Sequence, residues 1–223
     1  MNSAVPAATE PDALAEWRRI RGEIPWPDDQ DVIGRPGRGT RDGVRDGVRD
    51  FFTATRGPRD PAGTARVLTA LTRVRADAAS GRPLTFSLLA GWQCVVLGVE
   101  SAGFRRGPAY AKGGRERYGM TPDVRPAFER CLAESTRPGL RTAARAARAY
   151  LDVLFFHPFD DGNAPAAMLA LTFVLAREDV HLGQAHALGS TRWADDPEGA
   201  ADLARLLGVL IAAIPRHHSD PYP

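Results

Sequence analysis

The chain has 223 residues, 43% of them hydrophobic and 25% charged, with a formal net charge of +2. That length suits one domain with a short extension and a real core. The small net charge leaves no basic excess of the size that nucleic-acid binding uses. No apolar run reaches membrane-spanning length, and the N-terminus lacks a charged-then-apolar leader pattern. A cytoplasmic protein with no nucleic-acid and no membrane partner is therefore expected. Positive charge is almost all Arg, with Lys112 the only Lys. Cys94 and Cys131 fall in predicted helices and read as buried thiols, with nothing that forces a disulfide.

In chain order, residues 1–58 read as an N-terminal extension, partly disordered with short helices. Its first twelve residues are small and polar and are expected to fray. A short helix is predicted over Asp12 to Arg21, ended by Pro25-Trp26-Pro27. Gly34 to Gly39 is a Gly/Pro/Arg loop. Arg41 to Phe52 repeats Arg-Asp-Gly-Val and places Val44, Val48, Phe51 and Phe52 on one helical face. Gly43 and Gly47 weaken that helix by about 1 kcal/mol each.

Residues 59–215 read as a helical domain, and 216–223 as a loose tail. Pro61 to Ala79 and Thr85 to Val99 are helices, the second apolar over a wide surface. Ser101 to Gly119 has five Gly and no helical period. Pro122 to Glu134 is helical, with Thr121 as its expected cap. Pro138 to Phe156 follows. Met168 to Ala176 is apolar nearly all round, as in a central bundle helix. Asp196-Pro197-Glu198 opens the last helix, which runs to Ile214.

Between two of these helices lies His157-Pro158-Phe159-Asp160-Asp161-Gly162-Asn163-Ala164-Pro165-Ala166-Ala167-Met168. A His, a carboxylate and a Gly-Asn turn sit just before a helix N-terminus. Unpaired N–H groups and the positive dipole end make that terminus an anion site. The stretch resembles the Fic (filamentation induced by cAMP) signature, His-Pro-Phe-x-Asp/Glu-Gly-Asn-Gly-Arg-x-x-Arg. His157, Pro158, Phe159, Asp161, Gly162 and Asn163 match it. Ala164, Pro165 and Met168 stand where the family has Gly, Arg and Arg. The resemblance extends in helix order over about residues 60 to 215.

The resemblance implies an all-α fold, a Fic-type helical bundle with a short β-hairpin flap over Phe104 to Ala111. It makes His157 the base that takes a proton from an acceptor hydroxyl. Asp161 becomes the acid that holds Mg²⁺, and Gly162, Asn163 and Ala164 the donor-binding turn. Asp160 is a secondary candidate. Phe159 and Met168 are structural at the site. The flap residues Phe104, Arg105, Arg106, Tyr110 and Lys112 would meet substrate, an edge strand being suited to an extended chain. Each charge-assisted phosphate contact is worth about 1.5–3 kcal/mol, so two lost arginines weaken the usual ATP pose by about three or four orders of magnitude. Arg105, Arg106, Lys112 or Arg115 could compensate from the flap.

Three functions fit these residues. The first is a divergent transferase that moves a nucleotidyl or phosphoryl-type group onto a hydroxyl of a protein, peptide or small molecule, from ATP or another activated donor. The second is a Fic-fold enzyme with other acid/base chemistry in a biosynthetic pathway, favoured by an apolar pocket around Met168. The third is a non-catalytic Fic-fold binding protein. The retained His and Asp favour an enzyme. The residues do not specify an oligomeric state.

Overall fold

The structure is a computed structural model that describes residues 11–27, 45–136 and 139–214. Residues 1–10 of the expected frayed start, the loop at Gly34 to Gly39, the first copy of the Arg-Asp-Gly-Val repeat and the tail lie outside the described residues, whereas Asp12, expected to fray, is fixed as the cap of the first helix, its carboxylate accepting from the Leu14 and Ala15 N–H groups. Within them the chain forms eight α-helices and one hairpin. The helices are α1 (Ala13–Ile20), α2 (Gly47–Arg56), α3 (Pro61–Ala79), α4 (Phe86–Leu97), α5 (Val124–Ala133), α6 (Thr142–Phe156), α7 (Asn163–Ala176) and α8 (Pro197–Ala212). The hairpin pairs β1 (Ala109–Ala111) with β2 (Glu116–Tyr118) in antiparallel register, Tyr110 facing Arg117. This is the expected helical bundle with a small hairpin. No helix among the described residues is long and apolar enough to cross a membrane.

α7 is the axle of the bundle. Ala166 to Leu175 is buried without a break, and α6, α3 and α4 pack around it. α8 covers the far side of α6. A helix enclosed on all sides can be apolar on all sides, which is why its sequence shows no amphipathic stripe. Sequence order thus carries the chain from α6 straight into α7 through the His157 to Gly162 loop, at one end of the two best-packed helices.

Several boundaries differ from the sequence expectation for identifiable reasons. α2 begins at the second repeat copy because the Asp46 carboxylate accepts from the Arg49 N–H, and it runs on to Arg56. Gly47 does not merely weaken this helix. It is where α2 touches the segment after α7: its N–H donates to Leu182 O at 2.8 Å, and an added Cβ would lie 2.4 Å from Gln184 N. Gly47→Ala is therefore expected to destabilise the fold by about 1–3 kcal/mol, read as a lower denaturation midpoint. The hairpin lies later than Phe104 to Ala111. Phe104 packs on Phe86 and Phe128 at 5.3 and 5.9 Å, so it belongs to the core. The turn forms instead at Lys112, Gly113 and Gly114, three successive positive-φ residues. Thr121 does not cap α5: its hydroxyl donates to Asp123 Oδ1 at 2.6 Å. Cys94 and Cys131 are free, and half-buried rather than buried. Burial pushes the Cys131 thiol up to about 12.

The N-terminal helices are tied into this body. Trp17 is fully buried and donates from Nε1 to Asp152 Oδ1 at 3.0 Å. Arg21 makes a two-pronged contact with the same carboxylate, at 2.7 and 2.8 Å, and reaches Glu134 at 2.9 Å. Asp152 lies on α6 five residues before His157.

Candidate active site

α6 ends at His157, whose backbone is left-handed at φ 50°, ψ 55°. Its N–H still bonds back to Val153 O. A non-glycine residue in that region is uncommon and costs free energy, so the surrounding contacts must hold it there. Two do. The imidazole lies flat on the Tyr118 ring, 4.7 Å between centroids at 9°. Its Nδ1 is 3.0 Å from Leu154 O. A carbonyl can only accept, so Nδ1 carries the proton, and the neutral ring keeps its free lone pair on Nε2. Burial is the main cause that holds the His157 pKa below its ordinary value, with Arg105 and Lys112 adding to the shift. The neutral, proton-accepting form is thus the one present at neutral pH.

Tyr118 is itself fixed. Its hydroxyl donates to Glu116, and that carboxylate receives Lys112 Nζ at 2.8 Å. Lys112 Nζ also stands 4.0 Å over the Trp193 ring and donates to Arg192 O. The only lysine of the chain therefore pins the hairpin to the body. Arg105 is likewise committed. It is 2% exposed and donates to Gly119 O at 2.6 Å and to Phe156 O, while its backbone N–H bonds Pro158 O at 2.8 Å. It clamps the base of the hairpin to the loop after α6. Arg106 is exposed. Of the five flap residues, only Tyr110 lines the cavity beside His157. It is 56% exposed at its rim.

That cavity has a volume of about 510 Å³. His157, Asp160, Asp161, Gly162, Asn163 and Ala164 all line it. The sequence-predicted base, acids and turn are thus brought together. Gly162 adopts φ 74°, and a Cβ there would lie 2.4 Å from Gln93 Nε2, so both backbone and space require glycine. Gln93, fully buried on α4, donates to Asp161 O at 2.7 Å and supports the turn from beneath. The Asn163 side chain does not reach the cavity as a free donor. Its Oδ1 accepts from Phe159 N at 3.0 Å and its Nδ2 donates to Phe159 O at 2.8 Å. It staples the loop shut while Phe159 stacks on Phe86 at 5.6 Å. Asn163→Ala would strand two buried backbone groups at about 1–3 kcal/mol each, and a thermal melt is expected to show the loss. Met168 is 2% exposed and packs inside the core, away from the cavity.

At the start of α7, Pro165 has no N–H and the Ala166 N–H donates to Gly162 O at 3.1 Å. The Asn163 and Ala164 N–H groups remain as the helix-end donors, on residues that line the cavity. No group of three or more His, Cys, Asp or Glu among the described residues could hold a metal by itself. Mg²⁺ seldom needs such a cage: one or two carboxylates plus phosphate oxygens of a ligand suffice. Asp160 and Asp161, both exposed on the cavity wall, fit that role. Asp161 Oδ1 accepts from the Gly162 N–H at 2.6 Å, which orients its carboxylate.

The same cavity is also lined by two residues outside the motif, Arg56 at the end of α2 and Arg66 on α3. The sequence gives a faint signal for Arg66: Gly63 and Ala70 lie on the same helix face, leaving room for a long side chain to cross it.

The described residues thus form a helical bundle with a hairpin beside a His-Asp-Gly turn at a helix N-terminus. No family model matches the sequence, and no curated protein matches it. Solved structures do. One is a Fic-domain-containing signalling protein from Bacteroides thetaiotaomicron, at TM-score 0.52 and 19% identity, over 70% of this chain and 69% of that one. Another is IbpAFic2 in a form covalently tethered to Cdc42, at TM-score 0.56 and 14% identity, over 88% of this chain and 70% of that one. The chain has the Fic-domain fold.

Proposed function

We propose that the protein is a divergent Fic-type transferase that moves a phosphorus-containing group from an activated donor onto a hydroxyl. The observation that carries this is the His157 ring: neutral, with Nδ1–H committed to Leu154 O and Nε2 left as acceptor, on the wall of a cavity shared with Asp161 and the α7 N-terminus. In the reaction, Nε2 takes the proton of the acceptor O–H. The oxygen forms a bond to the donor phosphorus, the bond from phosphorus to the leaving group breaks, and the leaving group departs with that electron pair. Mg²⁺ held by Asp161, with Asp160 beside it, supplies charge stabilisation of the phosphate oxygens when bound. The Asn163 and Ala164 N–H groups and the positive end of α7 orient the anion.

Protein acceptors are supported by IbpAFic2, a neighbour in fold tethered to a protein, Cdc42. They are also supported by β1, an edge strand beside the cavity with no further strand on it among the described residues. The small-molecule alternative loses its main ground, because Met168 lies in the core and not on the cavity. The test is label transfer from a panel of donors carrying labelled phosphorus, with Mg²⁺, into protein and small hydroxyl acceptors. Transfer by the wild-type chain that His157→Ala slows by about 100-fold or more supports the reading. Transfer by the variant at the wild-type rate contradicts it.

A further inference from the structure

The geometry points to Arg66, assisted by Arg56, as the cationic group that holds the donor's phosphates in place of the missing motif arginines, and to a Mg²⁺-complexed diphosphate as the ligand chemistry it takes. This deepens the transferase reading and rests on it.

The side chain of Arg66 is half-buried and makes one hydrogen bond, with the Asp60 carboxylate near enough to feel its charge. Its Nε donates to Val96 O at 3.1 Å, one of the carbonyls left open at the end of α4. Gly98, at φ 70° just beyond that helix, makes room for it: a Cβ there would lie 3.2 Å from Arg66 Cδ. The two terminal nitrogens of this guanidinium have no protein hydrogen-bond partner among the described residues, and the residue lines the same cavity as the Gly162 turn. A planar fork with its Nε anchored and its ends free is pre-organised to take two oxygens of one phosphate. Arg56 is less free, because Nη2 donates to Asp60 Oδ2 at 3.3 Å. Asp60 is in turn held by Gly63 N–H at 2.8 Å, so the pair keeps Arg56 turned to the cavity edge.

Charge then selects the ligand. Two guanidiniums line the cavity against three carboxylates, Asp60, Asp160 and Asp161. A bare diphosphate meets net repulsion from that lining, whereas its Mg²⁺ complex brings a cation to the Asp160–Asp161 wall and presents phosphate oxygens to Arg66. The cavity volume of about 510 Å³ is within the range of small-molecule sites.

The experiment is isothermal titration of the full chain with inorganic pyrophosphate, with and without Mg²⁺. The wild-type chain should bind only when Mg²⁺ is present. Arg66→Gln should weaken binding ~10- to 100-fold. Arg66→Lys should be intermediate, since it keeps the charge and loses the fork. Arg59→Gln, exposed and outside the cavity, should bind as wild type. Should Arg66→Gln fail to fold, the Arg66 Nε–H NMR signal of the unmutated chain carries the test. It should shift on addition of Mg²⁺-pyrophosphate. Unchanged affinity in Arg66→Gln, an unmoved signal, or no binding by the wild-type chain overturns the inference. None of these decides the base role of His157, which rests on transfer by the His157→Ala variant.

Discussion

Replacing His157 by Ala should lower the rate of group transfer about 10²- to 10⁴-fold, the usual worth of a positioned general base, and leave donor binding nearly unchanged. The imidazole is placed to take a proton from the acceptor, not to hold the donor, so the loss belongs in kcat and not in KM. The pH dependence has a definite sign. The active form is neutral, so activity falls as pH drops through the His157 pKa. Burial holds that pKa below the ordinary value. The acid limb of the wild-type profile should therefore lie below the ordinary imidazole range near pH 6.5 and be absent from the residual rate of the variant. A rate profile that declines already above pH 7 would assign the limb to another group.

The second large effect should fall on stability. Asp152→Ala should destabilise the fold by about 3–5 kcal/mol, because it leaves the Arg21 guanidinium and the Trp17 N–H buried beside a hole. Asp152 is completely buried, and Arg21 has only 11% of its side chain exposed. Both oxygens of the carboxylate are bonded by Arg21, with Trp17 sharing one of them. In a domain of this size the melting midpoint should drop on the order of 10 °C. Asp152→Asn keeps the shape and part of the hydrogen bonding, and should lose less. A denaturant titration should show the midpoint fall with an unchanged slope. Since α6 ends in His157, the same variant should also slow transfer if the α1–α6 tie positions that ring.

How much of this was readable in the chain depends on how local each feature is. Helices α3, α4 and α8 follow from apolar spacing and from Asp-Pro, Thr and Gly punctuation, and α7 from an unbroken apolar run after a Gly-Asn pair, all short-range signals. The His157 to Asn163 turn follows from the order of its residues. What the sequence hides is pairing across distance. Trp17 and Asp152 are 135 positions apart, and nothing near Asp152 marks it as the partner of an N-terminal helix. Arg105 has the composition of a surface cation in a Gly-rich loop, yet four carbonyls gather around it. Lys112 likewise resembles a solvated flap residue until Glu116 and Trp193 close on it. Asn163 fits an anion contact in the motif, but the left-handed Gly162 turns its amide back onto Phe159. Arg56 and Arg66 belong to helices that show only packing periodicity, and the cavity they face exists only after α2, α3 and α4 assemble.

The most direct test of the central claim needs no donor or acceptor. Nitrogen NMR of the His157 ring, assigned by difference against His157→Gln, reports its tautomer and its titration midpoint. The account predicts a neutral ring protonated on Nδ1, bare on Nε2, with a midpoint below that of an exposed imidazole. A ring protonated on Nε2, or one still charged at neutral pH, would contradict it.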